Sequence, residues 1–261
     1  MGMPDAFYQT IGPDRYASTA ATAGPWDPGA AHGSPPAALL GHVIEKAFPR
    51  PDARVARIAF DFFGPVPVAE LTAAAERVRP GSRIELTRAR LAAAGRIVME
   101  ATAWRIATAP DRVTEVSDPR PVPALPGPQP ERLFVEVPSF PYGHAIEWRF
   151  VEGGFDVEGP ATVFARPRIP LFAGEPLTPL GRLLLIVDSA NGISIALPLS
   201  RFTFVPIELT VSVERHPRTE WVGMRARTTI ASDGIGHTHA ELFDEIGFLG
   251  TALQTLYVAP R

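Results

Sequence analysis

The chain has 261 residues, 46% of them hydrophobic and 20% charged, with a formal net charge of -3 and no cysteine. This is a globular composition with chain enough for a large core. The charge gives no electrostatic reason to bind nucleic acid or an anionic membrane, and the lack of cysteine excludes disulfides, thiolate metal sites and a cysteine nucleophile.

The N-terminus, "MGMPDAFYQT", has no basic stretch followed by an apolar one, and no apolar run is long enough to span a membrane. A cytoplasmic protein is expected, in keeping with a reducing compartment. Lys46 is the one lysine, and Ala and Pro are abundant, a pattern that suggests a GC-rich bacterial genome.

Along the chain, "HGSPPAALLGHVIEKAF" from His32 reads as a helix. Ser34 suits an N-cap and Pro35 a first turn, and Leu40, Val43, Ile44 and Ala47 follow helical spacing. Four strands are expected next: "VARIAFDFF", "ELTAAAERVR", "RIELTRARLA" and "RIVMEATAWRIA", separated by turns at Gly64-Pro65, Pro80-Gly81 and Gly95. From Thr108 to Phe134 the chain is dense in proline, which fits neither a core helix nor a central strand. It reads as a long surface connection.

The pattern then repeats. "PLGRLLLIVDSA" reads as a second helix, followed by strands "PIELTVSVER", "WVGMRARTTIA", "GHTHAELFD" and "FLGTALQTLYVA". "ELTAAAER" and "ELTVSVER" share five letters, but that register leaves too much chain after the second copy. Placing "ELTVSVER" against "ARIAFDFF" serves better. The second helix is apolar on nearly every side from Leu183 to Val187, so it should be enclosed by protein. The expected class is α+β: a double hot-dog, two helix-wrapped antiparallel sheets from an internal duplication, joined edge to edge because an open edge strand invites aggregation. Its parts are an N-terminal half over residues 1–110, the proline-rich connection over 111–143 and a C-terminal half over 144–261.

Several polar residues stand out. Asp188 follows five apolar residues, where an unpaired charge is costly. It either ends the helix, with Gly192 as terminator, or acts chemically. Gln254 shares a strand face with Ala252, Leu256 and Val258, as a core amide or a functional one. "HGSPP" would present backbone N–H groups at a helix N-terminus, for capping or for polarising a carbonyl. His237 and His239 share a strand face without a third ligand at a familiar spacing, so no metal site is expected and both read as surface or interface residues. There is no G-x-S-x-G elbow, phosphate-binding P-loop or dinucleotide-binding glycine motif.

The stretches "HGSPPAALLGHVIE", "EWRFVEGGFDVEGPA", "PLTPLGRLLLIVDSANGIS", "ELTVSVERHPRTEWVGM" and "DEIGFLGTALQTLYV" together resemble the double hot-dog acyl-CoA thioesterases of the acyl-CoA thioesterase II group. The resemblance implies that an Asp, a Gln and a Thr hold the hydrolytic water. Asp188 matches the Asp and Gln254 the Gln. The Thr position falls near Pro206, and Thr210 is the nearest hydroxyl on that strand. The resemblance further implies that His32, Gly33 and Ser34 at the first helix N-terminus, with Asn191, receive the thioester. It also implies an acyl-CoA substrate, no cofactor and a homo-oligomer. Glu45 is the repeat-mate of Asp188 but has Thr102 where Asp188 has Gln254, so one working site is expected. Phe60, Phe62, Phe202 and Phe204 are candidates to line an acyl tunnel. Two alternatives are a non-catalytic acyl-CoA or lipid binder and a hot-dog hydratase or dehydratase. The latter needs a His paired with an acid, and the sequence shows none at the loop that would carry it.

Overall fold

The computed structural model describes residues 2–109, 113–116, 119–134, 137 and 139–261. Helix α1 (Ser34–Ala47) has prolines in its first turn, whose fixed φ suits a helix start. Its N-cap is Gly33 rather than Ser34. Ser34 is already helical, and its buried hydroxyl has no hydrogen-bond partner among the described residues. A single turn, α2 (Pro141–His144), ends the proline-rich connection. Helix α3 (Pro179–Val187) is capped by Thr178, whose hydroxyl accepts the Gly181 N–H at 3.0 Å. Its residues 183–187 are fully buried, as their unbroken apolar run requires. The chain does not stop at Gly192: Asp188 is the C-cap of α3, and a further turn, α4 (Ala190–Ile193), follows.

The strands of the first half are β1 (Tyr8–Gly12), β2 (Arg15–Ser18), β3 (Ala53–Phe62), β4 (Glu70–Arg79), β5 (Ile84–Ala93) and β6 (Arg96–Ala107). Those of the second are β7 (Ile146–Gly154), β8 (Val157–Pro167), β9 (Phe202–Val213), β10 (Val222–Ile230), β11 (Ile235–Phe243) and β12 (Phe248–Pro260). The two helix-wrapped sheets are not separate: they join edge to edge, as expected, into one antiparallel sheet, ordered β1-β2-β4-β5-β6-β3-β9-β12-β11-β10-β8-β7. The physical reason is edge satisfaction. β3 and β9 would each be an open edge, and residues Arg57 to Asp61 pair with Ser212 to Glu208 instead. Outward from this seam both halves run in the same order. "ELTVSVER" lies in β9 beside β3, so the register that set aside the near-match with β4 holds.

Both helices lie on one face of the sheet and pack on each other. α1 covers β4, β5 and β6, and α3 covers β8 and β10. Their approach depends on Gly41, where a Cβ would lie 2.5 Å from Leu184 Cδ1. They run antiparallel, so the C-terminus of α3 meets the N-terminus of α1. The described part of the connection, 113–116 and 119–134, has no helix or strand. It is strapped to the second half by Gln129 on the Phe150 backbone and by Arg132 on Asp156, and Val122 and Leu125 pack near Phe164, Trp221 and Phe243. No helix among the described residues is long and apolar enough to cross a membrane.

Candidate active site

Asp188 ends α3 where the helix runs into the N-terminus of α1, and it is buried. Burial raises its carboxyl pKa from 3.8 to about 7, against the opposing pull of the Gln254 amide and the Gly33 backbone N–H. Gln254 reaches it from β12, where the alternation that buries Ala252, Leu256 and Val258 turns the amide inward. Its Nε2 donates to both Asp188 Oδ1 and the Asp188 carbonyl, each at 3.0 Å. Its Oε1 accepts the Asn191 N–H at 3.1 Å. One buried amide thus ties β12 to the α3–α4 turn and fixes the carboxylate.

The other carboxylate oxygen faces Gly33. A Cβ there would come within 2.5 Å of Asp188 Oδ2 and 3.0 Å of Phe62 Cε1, so any side chain at this position would displace the carboxylate. His32 Nδ1 accepts the Ser34 N–H at 3.1 Å and lies 3.6 Å from Asp188 Oδ2. Burial lowers the His32 pKa to about 3. The ring is therefore neutral, and the approach to Asp188 is a contact rather than an ion pair. With Nδ1 accepting, the proton sits on Nε2. Tyr142 of α2 stacks flat on His32, 3.9 Å between centroids, and donates its hydroxyl to the Leu185 carbonyl at 2.7 Å. Tyr142 does not stand out in the sequence. Its contact is with a ring far along the chain, and no local pattern signals it.

These groups open on a cavity of about 450 Å³. His32, Gly33, Asp188 and Asn191 line it, and most of the remaining wall is apolar. Of the four candidate tunnel phenylalanines, Phe62 and Phe204 line this cavity and Phe60 and Phe202 do not. Pro206, near which the resemblance puts the Thr, also lines it. Thr210 is not brought to the site. β9 buries Leu209 and Val211, so Thr210 points to the outer face, where its hydroxyl donates to Glu208. Ser34 is buried beneath the α1 start rather than on the cavity wall.

The mirrored corner of the first half is nearly closed. There Thr178 donates to Glu45 at 2.8 Å, Phe172 packs on His42, and the remaining void is about 20 Å³. His237 and His239 are exposed on β11, and no cluster of potential metal ligands occurs among the described residues.

An enclosed carboxylate poised near neutrality, facing an apolar cavity on a helix-lined antiparallel sheet, defines a hot-dog protein with a candidate hydrolytic site. The comparisons agree on the class. The acyl-CoA thioesterase N-terminal domain family matches residues 22–106 and the acyl-CoA thioesterase C-terminal domain family matches residues 110–258. The chain belongs to this acyl-CoA thioesterase family. Among solved structures, a conserved hot-dog-fold protein from Alicyclobacillus acidocaldarius superposes with a TM-score of 0.73 at 19% identity, covering 98% of this chain and 97% of the other. Acyl-CoA thioesterase II TesB2 from Mycobacterium marinum superposes with a TM-score of 0.69 at 16% identity, covering 97% and 95%. The tesB protein of Mycobacterium avium subs paratuberculosis gives 0.66 at 14% identity, covering 97% and 96%. These likenesses show the hot-dog fold. No curated protein matches the chain.

Proposed function

We propose that the protein hydrolyses an acyl-CoA thioester, with Asp188 as the general base toward water. The observation that carries this reading is the buried carboxylate on the wall of the apolar cavity, fixed by Gln254 and titrating at about 7. A carboxylate with that pKa is ionised often enough at neutral pH to act and is a far stronger base than a solvated one. Asp188 takes a proton from water as the oxygen attacks the thioester carbon. The carbon–sulfur bond then breaks, the departing thiolate takes that proton, and the products are a carboxylic acid and CoA thiol.

The other residues divide the remaining work. Both amide protons of Gln254 are engaged by Asp188, so Gln254 is a positioning residue rather than a direct ligand of the water. At the start of α1 the Gly33 N–H approaches Asp188, the Ser34 N–H is held by His32, and Pro35 and Pro36 have none. The donor left to polarise the thioester oxygen is the Nε2–H of His32. Asn191 lines the substrate cavity, and Thr210 has no part. The repeated strand order supports reading the chain as a duplicated hot-dog with one working site.

One observation favours a second reading. His32 and Asp188 do face each other in the cavity, a His–acid pair not evident in the sequence, and a hydratase would use such a pair. The low basicity of His32 weighs against it. Assaying thiol release and loss of enoyl conjugation from matched acyl- and enoyl-CoAs decides. Thiol release supports the hydrolase, loss of conjugation alone supports the hydratase, and binding with neither supports a carrier.

A further inference from the structure

The cavity beside Asp188 has two smaller neighbours of opposite electrical character. One, of about 260 Å³, is lined by Ile195 and Pro198 and carries Asp156 and Glu158. The other, of about 200 Å³, carries Arg261, whose guanidinium lies 5.2 Å from the Trp26 ring centre and donates to the Leu199 carbonyl at 3.2 Å. Leu199 stands at the junction of all three. Toward Arg261 the shared wall also includes Trp26 and Pro25. Toward the carboxylates it is two aromatic rings, Phe134 and Phe155.

Those two rings meet edge to face at 4.8 Å, and both side chains are buried. Gly192 backs the pair: a Cβ at that position would touch Phe134 at 3.4 Å and Phe155 at 3.7 Å. Phe155 is held by Trp148 and Phe150, at 4.9 and 5.6 Å, and Phe134 comes from the end of the proline-rich connection. Asp156 is paired with Arg132 at 2.7 Å, so the cation beside Trp26 is the clearer guide. Arg261 would attract a phosphorylated carrier, and the two rings offer an acyl group an apolar end.

We propose that Phe134 and Phe155 form the end wall of the acyl pocket and limit the length of acyl chain the protein accepts. This rests on the thioesterase reading for the identity of the ligand. It goes beyond that reading in naming the residues that select it. The favoured substrate is an apolar acyl group short enough to stop at the two rings. Longer chains are rejected although unfilled space lies behind the wall.

The test uses saturated straight-chain acyl-CoAs of increasing length for kcat/KM, and the matching alkyl-CoA thioethers for affinity. The proteins are the wild type, Phe134→Ala and Phe155→Leu, each checked for a cooperative melt. A methylene that does not fit costs about 10–200-fold, so the first rejected length should gain at least about tenfold in both measures in the variants, while shorter chains stay within about threefold. Should Phe155→Leu fail to fold, Phe134→Ala decides alone. An unchanged length limit in the folded variants, or a wild type with no limit, overturns the proposal. Thioethers that bind with a limit that moves in the variants, without hydrolysis of any acyl-CoA, would sink the hydrolytic reading and leave the end wall standing.

Discussion

Asp188 is a carboxylate that the fold keeps partly protonated. Its pKa is raised by about three units, so between about pH 4 and 7 the folded protein holds a proton that the unfolded chain releases. Stability should therefore fall as pH rises through that window, by on the order of 4 kcal/mol at 1.4 kcal/mol per unit. Activity should run the other way. We expect kcat/KM to rise with pH to a plateau, with its half-point at about 7. A profile already flat from pH 4 upward would contradict this. Gln254→Ala removes a donor that holds the Asp188 pKa down, so the half-point should move to higher pH while activity falls less than on loss of the carboxylate. An unmoved half-point would deny Gln254 its positioning role. Asp188 and Gln254 stood out in the sequence because each interrupts an apolar pattern, but the pattern left a structural role open for both and only the family resemblance paired them, as the Gln254–Asp188 hydrogen bond does in space. Thr210 was misread because the nearest hydroxyl in sequence lies on the other face of the strand, and the burial of Leu209 and Val211 leaves it outside. The stack of His32 on Tyr142 leaves no trace in either local sequence.

At the scale of elements, the start of α1 is shaped around the carboxylate. Gly33 has φ −68° and ψ −22°, which alanine adopts freely, so Gly33→Ala carries no backbone strain. The added methyl would instead push Asp188 aside, because it would sit 2.5 Å from Oδ2 and 2.9 Å from Cγ. A displacement on that scale should cost about 10²-fold in turnover. Circular dichroism should show an intact fold, and full activity would mean that the α1–α3 contact does not set the site. The elements themselves were unevenly legible. β5 and β6 alternate cleanly between turn residues, and the bounds of β6 follow from pattern alone. β7 and β8 do not. Gly153 and Gly159 have positive φ, and the register between these strands shifts twice, so the alternation a reader looks for is broken. β1 and β2 are five and four residues long, too short for a periodic signal.

At the scale of the molecule, the repeat was legible, and so was the edge-to-edge join of its two sheets, because an open edge strand has to be covered. Which strands form the seam was not, because periodicity finds strands and not their neighbours. The β3–β9 seam and the α1–α3 contact join the halves independently of the connection. Residues 1–112 and 113–261 expressed together should therefore co-purify, and each alone should aggregate through its exposed edge strand and helix face. A soluble monomeric half would contradict this. The site exists only because α1 of one half meets α3 of the other, and the measurement that tests this most directly is made on Asp188→Asn. Turnover of acyl-CoA and the melting temperature are read on the same sample at pH 8. The variant should lose about 10²–10⁴ in turnover and melt no lower than the wild type, because it loses the base together with a charge that was costly to enclose. Unchanged hydrolysis, or a lower melting temperature with full activity per folded molecule, would contradict the catalytic assignment.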